Sequence, residues 1–349
     1  MTGQPGAGTV IAGAGVTGAS IAFHLARLGA ADVLVLDRDT AGAGMSSRSS
    51  ALVRMHYTFP PEVALAVRSE RMLATWPELT GAPPVLRRTG FARIVRPGEE
   101  DALAANVAMQ RRCGAVAEVI DAATLARLAP GLRTDDLAPA GPVPAGTVVL
   151  AAGVWSPPLL HAAGARLPVE TELHHVAVLS HPPGRGAPVA CIDSTTQTYF
   201  RPEAGGRMTL VGSFTGPRGV DPDAALAAGA ALAAGGALGT SGGGLAGLAG
   251  AAAYRVPALA GAGIARAVTG VYDMTPDARP MLGEVPGLPG LILAAGFSGT
   301  GFKISPAVGE AVAELITTGR AQQLDIGPFR PARFAEGQPV LAPFPYSDD

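Results

Sequence analysis

The chain has 349 residues, 48% of them apolar and 15% charged, with a formal net charge of −2. A mean hydropathy of +0.29 with so little net charge excludes global disorder, and an isoelectric point near 6.3 speaks against the basic surface of a nucleic-acid binder. Two cysteines, Cys113 and Cys191, are too few for a disulfide scaffold or a cysteine metal site, and the length suits about two domains.

The opening MTGQPGAG has neither the basic nor the apolar region of a secretory signal, so the expected location is the cytoplasm, with no membrane partner. The apolar run at 9–13 predicts a buried strand that enters glycine. Residues 16–28 carry apolar side chains at helical spacing, and Gly29 is placed to stop that helix. Residues 32–36 predict a second strand ending at Asp37. Strand, turn, helix and strand in this order open a doubly wound α/β fold. Residues 62–76 predict a helix, 87–95 a strand pair, and 100–112 and 122–129 two more helices. TVVLAA at 147–152 predicts another buried strand, closed by Gly153.

From 169 to 214 short β runs alternate with glycine and proline, which predicts a separate, mostly antiparallel sheet. Residues 224–254 hold no charge and are mainly alanine and glycine. The glycine break within them weighs against a membrane span and favours short helices and loops. A strand at 291–295, a glycine loop at 296–301 and a helix at 306–318 follow. Pro306 is assigned to the first turn of that helix and Gly319 to its end.

Gly13-Ala14-Gly15-Val16-Thr17-Gly18 fits the dinucleotide-binding pattern G-x-G-x-x-G between a strand and a helix. The first glycine makes the tight turn, the second lets backbone approach a diphosphate, and the third lets helix pack on strand. The helix N-terminus then offers N–H groups to the phosphates. Asp37 follows at the distance expected of an acid that accepts hydrogen bonds from an adenosine ribose. The pattern alone leaves FAD and NAD both open. One further count matters: Lys303 is the sole lysine among 26 basic residues. In a chain that otherwise uses arginine, a compact ammonium is singled out.

Three other stretches carry a resemblance. They are residues 42–50 (GAGMSSRSS), residues 147–156 ending in Gly153-Val154-Trp155-Ser156, and residues 270–309. With residues 9–38, the stretch around Arg54-Met55-His56-Tyr57, and 199–212, they make the chain resemble D-amino-acid-oxidase-type flavoproteins, in particular the sarcosine and dimethylglycine oxidase/dehydrogenase branch. The resemblance implies a fold that is α/β (α+β overall). A Rossmann-like FAD-binding domain would be assembled from 1–80, 140–160 and 270–330. A mostly antiparallel β substrate domain would comprise 81–139 and 161–269. It implies oxidation of a C–N bond in a secondary or tertiary amino acid or amine, with hydride passing to flavin to leave an imine.

By the same resemblance, Arg54 and Lys303 would grip the substrate carboxylate, and His56 and Tyr272 would lie in the flavin pocket. The cofactor would be held by Gly13, Gly15, Val16, Thr17, Gly18, Asp37 and Arg38. Ser46, Ser47, Arg48, Ala152, Gly153 and Trp155 would contribute next, and then Gly296, Ser298, Gly299, Thr300, Gly301, Phe302 and Lys303. The chain departs from the family in three ways: it is shorter before Thr147, it has no second lysine to activate oxygen, and it lacks the residues that attach flavin covalently. Arg218 lies near the missing lysine's place. FAD is therefore expected to be non-covalent. An oligomer or an electron-accepting protein partner is compatible with this reading. Two alternatives stand beside it: an NAD-dependent dehydrogenase, and a shortened, non-catalytic binding or scaffold subunit.

Overall fold

The computed structural model describes residues 8–134, 152–162, 164–233, 244–288 and 290–345. The strand expected at 147–152 lies, apart from its last residue, outside them. The chain opens with β1 (Thr9–Ala12), α1 (Val16–Arg27) and β2 (Val33–Leu36), and β1 pairs with β2 in parallel. Gly29 ends α1 with φ of +86° while its N–H donates to the Ala26 carbonyl. Helices α2 (Pro60–Ala74) and α3 (Trp76–Thr80) follow, then β3 (Phe91–Ile94), α4 (Glu100–Arg112), α5 (Ala122–Leu128) and α6 (Ser156–Ala162). The strand pair expected at 87–95 is one strand, β3. It finds its partner a hundred residues away.

That partner belongs to a six-stranded sheet made by β3 with β4 (Glu170–Ser180), β5 (Ala190–Asp193), β6 (Thr198–Glu203), β7 (Met208–Ser213) and β8 (Gly263–Met274). The order is β3-β5-β6-β7-β4-β8, with β3 and β5 parallel and every other pair antiparallel. Successive strand residues face opposite sides. Val176 and Val178 of β4 therefore share one core with Val63 and Val67 of α2 and Leu103 and Val107 of α4. Ala177 and Leu179 face the other way. They pack with α5 and α8 (Gly244–Arg255) through Leu125, Leu248 and Ala252. Burial on both faces explains why this strand reads as a continuous apolar run. Between β7 and α8 lies α7 (Pro222–Ala233). The charge-free tract thus supplies two short helices, and among the described residues no helix is long and apolar enough to cross a membrane.

A second core gathers the opening unit with the end of the chain. There β9 (Met281–Glu284) and β10 (Ile292–Ala295) form an antiparallel pair, and α9 (Gly301–Thr318) runs back against α1. Ile21 and Leu25 of α1 pack with Val308 and Val312 of α9. Each such side chain stabilises the fold by about 1.5–3 kcal/mol on burial. The two helices touch closely where Gly309 faces Ser20: a Cβ at 309 would come within 2.6 Å of the Ser20 backbone.

The sequence expectation for α9 needs correction. The helix starts at Gly301, and Pro306 lies inside it rather than in its first turn. Proline has no N–H, so the Phe302 carbonyl loses its usual donor. The Ser305 hydroxyl donates to that carbonyl at 3.0 Å. The next N–H, from Ala307, donates to the buried Ser69 hydroxyl of α2 at 2.8 Å. Tertiary contacts from a distant helix carry α9 through its proline, which local signals do not show.

Candidate active site

One cavity of about 630 Å³ runs from the start of α1 to the start of α9, within the range of small-molecule and cofactor sites. At one end stand Gly13, Gly15, Val16, Thr17, Asp37 and Arg38, with Ser46, Arg48, Ala152, Gly153 and Trp155 beside them. At the other stand Tyr272, Gly299, Gly301, Phe302 and Lys303. Gly18, Ser47, Gly296, Ser298 and Thr300 support these walls without lining the cavity.

The glycine turn is built as its sequence implies. Gly13 has φ of +108°, and its N–H donates to the Leu36 carbonyl at 2.6 Å, which ties the turn to β2. No side chain of the N-cap residue Gly15 caps α1. The N–H of Val16 is met by the Ser46 hydroxyl at 2.9 Å, so a loop hydroxyl sits at the positive end of a helix, where a diphosphate is favoured. Asp37 accepts the Ala14 N–H at 2.6 Å. That hydrogen bond is the main reason its carboxyl lies below the usual range, leaving an ionised acceptor at the end of β2. Arg48 donates to the Gly44 carbonyl at 2.9 Å and braces the same loop.

The opposite wall is the loop between β10 and α9. Ser298 has φ of +48° and Gly299 φ of +80°, and the Thr300 N-cap leaves the first turn of α9 without a side-chain cap. Asp273 of β8 holds the loop from below. Its carboxylate accepts the Gly296 N–H at 2.7 Å, and its carbonyl accepts the Ser298 N–H at 3.0 Å. Burial pushes the Asp273 carboxyl up to about 6, against the pull of the Gly296 and Phe297 N–H groups. A negative ring carbonyl placed over the N-terminus of α9 would be stabilised by the helix dipole.

Lys303, half-buried on the cavity wall, donates to the Gly299 carbonyl at 3.0 Å. Burial first, and then the Arg54 charge, hold its ammonium well below the usual lysine range, while Glu62 opposes them. Arg54 itself does not line the cavity. Its guanidinium lies 4.5 Å from the Tyr57 ring centroid and donates to the His56 carbonyl. His56 is buried behind it, with Nδ1 3.3 Å from the Gln110 amide. Burial pushes its pKa well below the ordinary histidine range, aided by Arg93 and Arg54, so its ring is neutral. Among the described residues neither Arg54 nor Lys303 has a carboxylate at ion-pair distance.

Glu172, His174 and Tyr199 escaped the sequence reading as site residues. His174 and Tyr199 line the cavity. His174 stacks on Tyr272 with ring centroids 3.8 Å apart, and Tyr272 shares a hydrogen bond with Tyr199. His174 Nε2 lies 3.0 Å from Glu172 Oε1, and the second Glu172 oxygen accepts from Arg218 at 2.7 Å. Alternation along β4 already separates His174 from His175. What was missing was the knowledge that this face meets β8 and Tyr272. Arg218 points at Glu172 and not into the cavity.

Residues 9–141 and 135–315 match the family model described as FAD dependent oxidoreductase. The chain is 26% identical to FAD-dependent oxidoreductase domain-containing protein 1 of Bos taurus, over 94% of this chain and 85% of that one. It is 25% identical to glycine oxidase of Geobacillus kaustophilus, over 91% and 95% respectively. It is also 27% identical to 4-methylaminobutanoate oxidase (formaldehyde-forming) of Paenarthrobacter nicotinovorans, over 89% of this chain and 44% of that one. Among solved structures, L-proline dehydrogenase from P. horikoshii shares the fold with a TM-score of 0.81 at 23% identity, covering 95% of this chain and 98% of that one. The match extends through the loop and helix after β10, which the NAD-dependent alternative leaves unexplained. The glycine turn before α1, the ionised Asp37 and the volume of the cavity suit a flavin adenine dinucleotide. The chain therefore belongs to the D-amino-acid-oxidase-type FAD-dependent oxidoreductases, enzymes that oxidise amines and amino acids.

Proposed function

We propose that this enzyme oxidises the C–N bond of an N-methylated or otherwise secondary or tertiary amino acid, whose carboxylate is held by Arg54 and Lys303. The observation that carries the reading is a pair of cations that have no carboxylate at ion-pair distance among the described residues, one on the cavity wall and the other close enough to depress its pKa. A substrate carboxylate would supply the missing charge. A guanidinium fork and a compact ammonium on one carboxylate give charge-assisted bonds of about 1.5–3 kcal/mol each. FAD, when bound, supplies the acceptor for the hydride that leaves the carbon beside nitrogen. The chain's own residues hold and orient the substrate: Lys303 is aimed by the Gly299 carbonyl, Arg54 by the Tyr57 ring and the His56 carbonyl. The stacked Tyr272 and His174 form part of the cavity wall near the start of α9.

The curated relatives named above include enzymes whose names specify glycine and 4-methylaminobutanoate, both amino acids, which supports this substrate class. We read the segments around β1–β2, residues 152–155 and β9–α9 as one cofactor-binding unit and the six-stranded sheet as the substrate unit, because each has its own core. Two free thiols, Cys113 and Cys191, suit the reducing cytoplasm. The test is a titration of the flavin spectrum with acetate or methylthioacetate. Lys303→Met should weaken binding roughly ten- to a hundredfold, and Arg54→Lys should do comparable damage through loss of the fork. Flavin content should stay unchanged in both. Equal dissociation constants across the set would remove the carboxylate clamp.

A further inference from the structure

Arg38, one residue past the acid placed at the ribose, reaches out of the cofactor-binding unit toward α7. Its two terminal nitrogens donate to the two carboxylate oxygens of Asp223 at 3.2 and 2.6 Å. Its guanidinium carbon lies 4.2 Å from the Trp155 ring centroid. Trp155 Nε1 donates to the same carboxylate at 3.2 Å. Three side chains from distant parts of the chain thus close on one another beside Asp37. Arginine suits this place because its planar fork can pair with a carboxylate and stack on a ring at once.

The helix that brings Asp223 is firmly seated. Asp221 caps α7 by accepting the Ala224 N–H at 2.7 Å. Gly229 lies against β8 so closely that a Cβ there would come within 2.4 Å of Thr269. One turn beyond Asp223, Leu226 forms part of the cavity wall together with Asp37, Arg38 and Trp155. A helix reached only after the six-stranded sheet is nearly complete therefore contributes to the cavity wall beside Arg38 and Trp155.

We propose that α7 is part of the cofactor site: the Asp223–Arg38–Trp155 clasp closes the adenosine end of the cavity and retains the adenosine half of FAD. Isolated exposed ion pairs contribute little, but here one bidentate pair, one indole N–H and one stacked guanidinium act at a single rim. The effect falls on cofactor release and not on the flavin end, where Lys303 and Tyr272 stand.

The experiment uses apoprotein reloaded with FAD, with FMN, which has no adenosine, or with ADP, which has no flavin. Release and affinity are followed by flavin fluorescence, ADP being read as a competitor of FAD. Asp223→Ala and Arg38→Ala should each speed FAD release about three- to tenfold. Both should weaken ADP by a similar factor and leave FMN affinity within about twofold. The double variant should release FAD no faster than the faster single variant, because the residues act as a unit. FAD release unchanged in Asp223→Ala would overturn the proposal. So would multiplicative effects in the double variant, or FMN weakening as much as FAD, which would mark a general disturbance of the fold.

Discussion

The Lys303 ammonium nitrogen lies 3.0 Å from the carbonyl oxygen of Gly299, a residue whose own φ of +80° excludes most side chains. The direction of the chain's single lysine is thus set by a loop conformation that only glycine adopts without strain. A Cβ at 299 would also come within 2.6 Å of the Tyr272 ring. Gly299→Ala should therefore move both the ammonium and the ring. The left-handed backbone alone costs about 1–2 kcal/mol, so carboxylate affinity should fall at least about tenfold. A ligand titration of the flavin spectrum reads this directly, and an unchanged affinity would detach Lys303 from the loop.

Asp193 and Arg255 form an ion pair with both side chains fully buried, at 2.8 Å. Asp193 also accepts from the Thr195 and Thr196 hydroxyls at 2.6 and 2.9 Å. Removing one partner leaves an uncompensated buried charge. Asp193→Ala should therefore destabilise the protein by about 3–5 kcal/mol. Urea unfolding would show it as a lowered midpoint, and a loss below about 1 kcal/mol would contradict it.

Asp273 gives a pH signature. Its folded carboxyl titrates at about 6, above the ordinary 3.8. A raised folded pKa contributes stability that is fully present below 3.8 and lost as pH rises through 6, because the unfolded chain ionises first. The difference is roughly 3 kcal/mol. Asn at 273 does not titrate, so the melting temperature of Asp273→Asn relative to wild type should rise between pH 4 and 6.5. A flat difference over that interval would show that the carboxyl is not perturbed.

FAD should be held without a covalent bond. Acid precipitation should release the flavin into the supernatant, and flavin in the pellet would contradict this. Gly15→Val should abolish FAD binding, since a side chain at the second glycine occupies the path of the diphosphate. Equilibrium dialysis of the variant checks it.

The opening β-α-β unit was legible because its signals are local: apolar spacing along α1, the glycine turn, and Asp37 at the end of β2. The glycine loop before α9 was legible for the same reason. The start of α9 was not, because Ser69 of α2 repairs the break at Pro306. Strand β8 was hidden in a sequence rich in alanine and glycine. Its burial alternates cleanly from Ala267 to Asp273 only once β4 lies beside it. The same pairing brings His174 to Tyr272, so the sequence showed two histidines on opposite faces of a strand but not which face was the site. Arg54 and His56 were found by resemblance, and neither is among the residues that line the cavity. Their spacing along an irregular segment carries no directional signal.

The most direct test of the account is anaerobic mixing of the FAD-loaded protein with an N-methyl amino acid or its neutral N-methylated amide, followed at the flavin absorption band. The account predicts that the free acid bleaches the band at least about tenfold faster than the amide at equal low concentration, and that Lys303→Met removes most of that difference. Equal rates for acid and amide in the wild type would contradict the carboxylate clamp. Failure of any amine or amino acid to bleach a bound flavin would favour a shortened, non-catalytic flavoprotein instead.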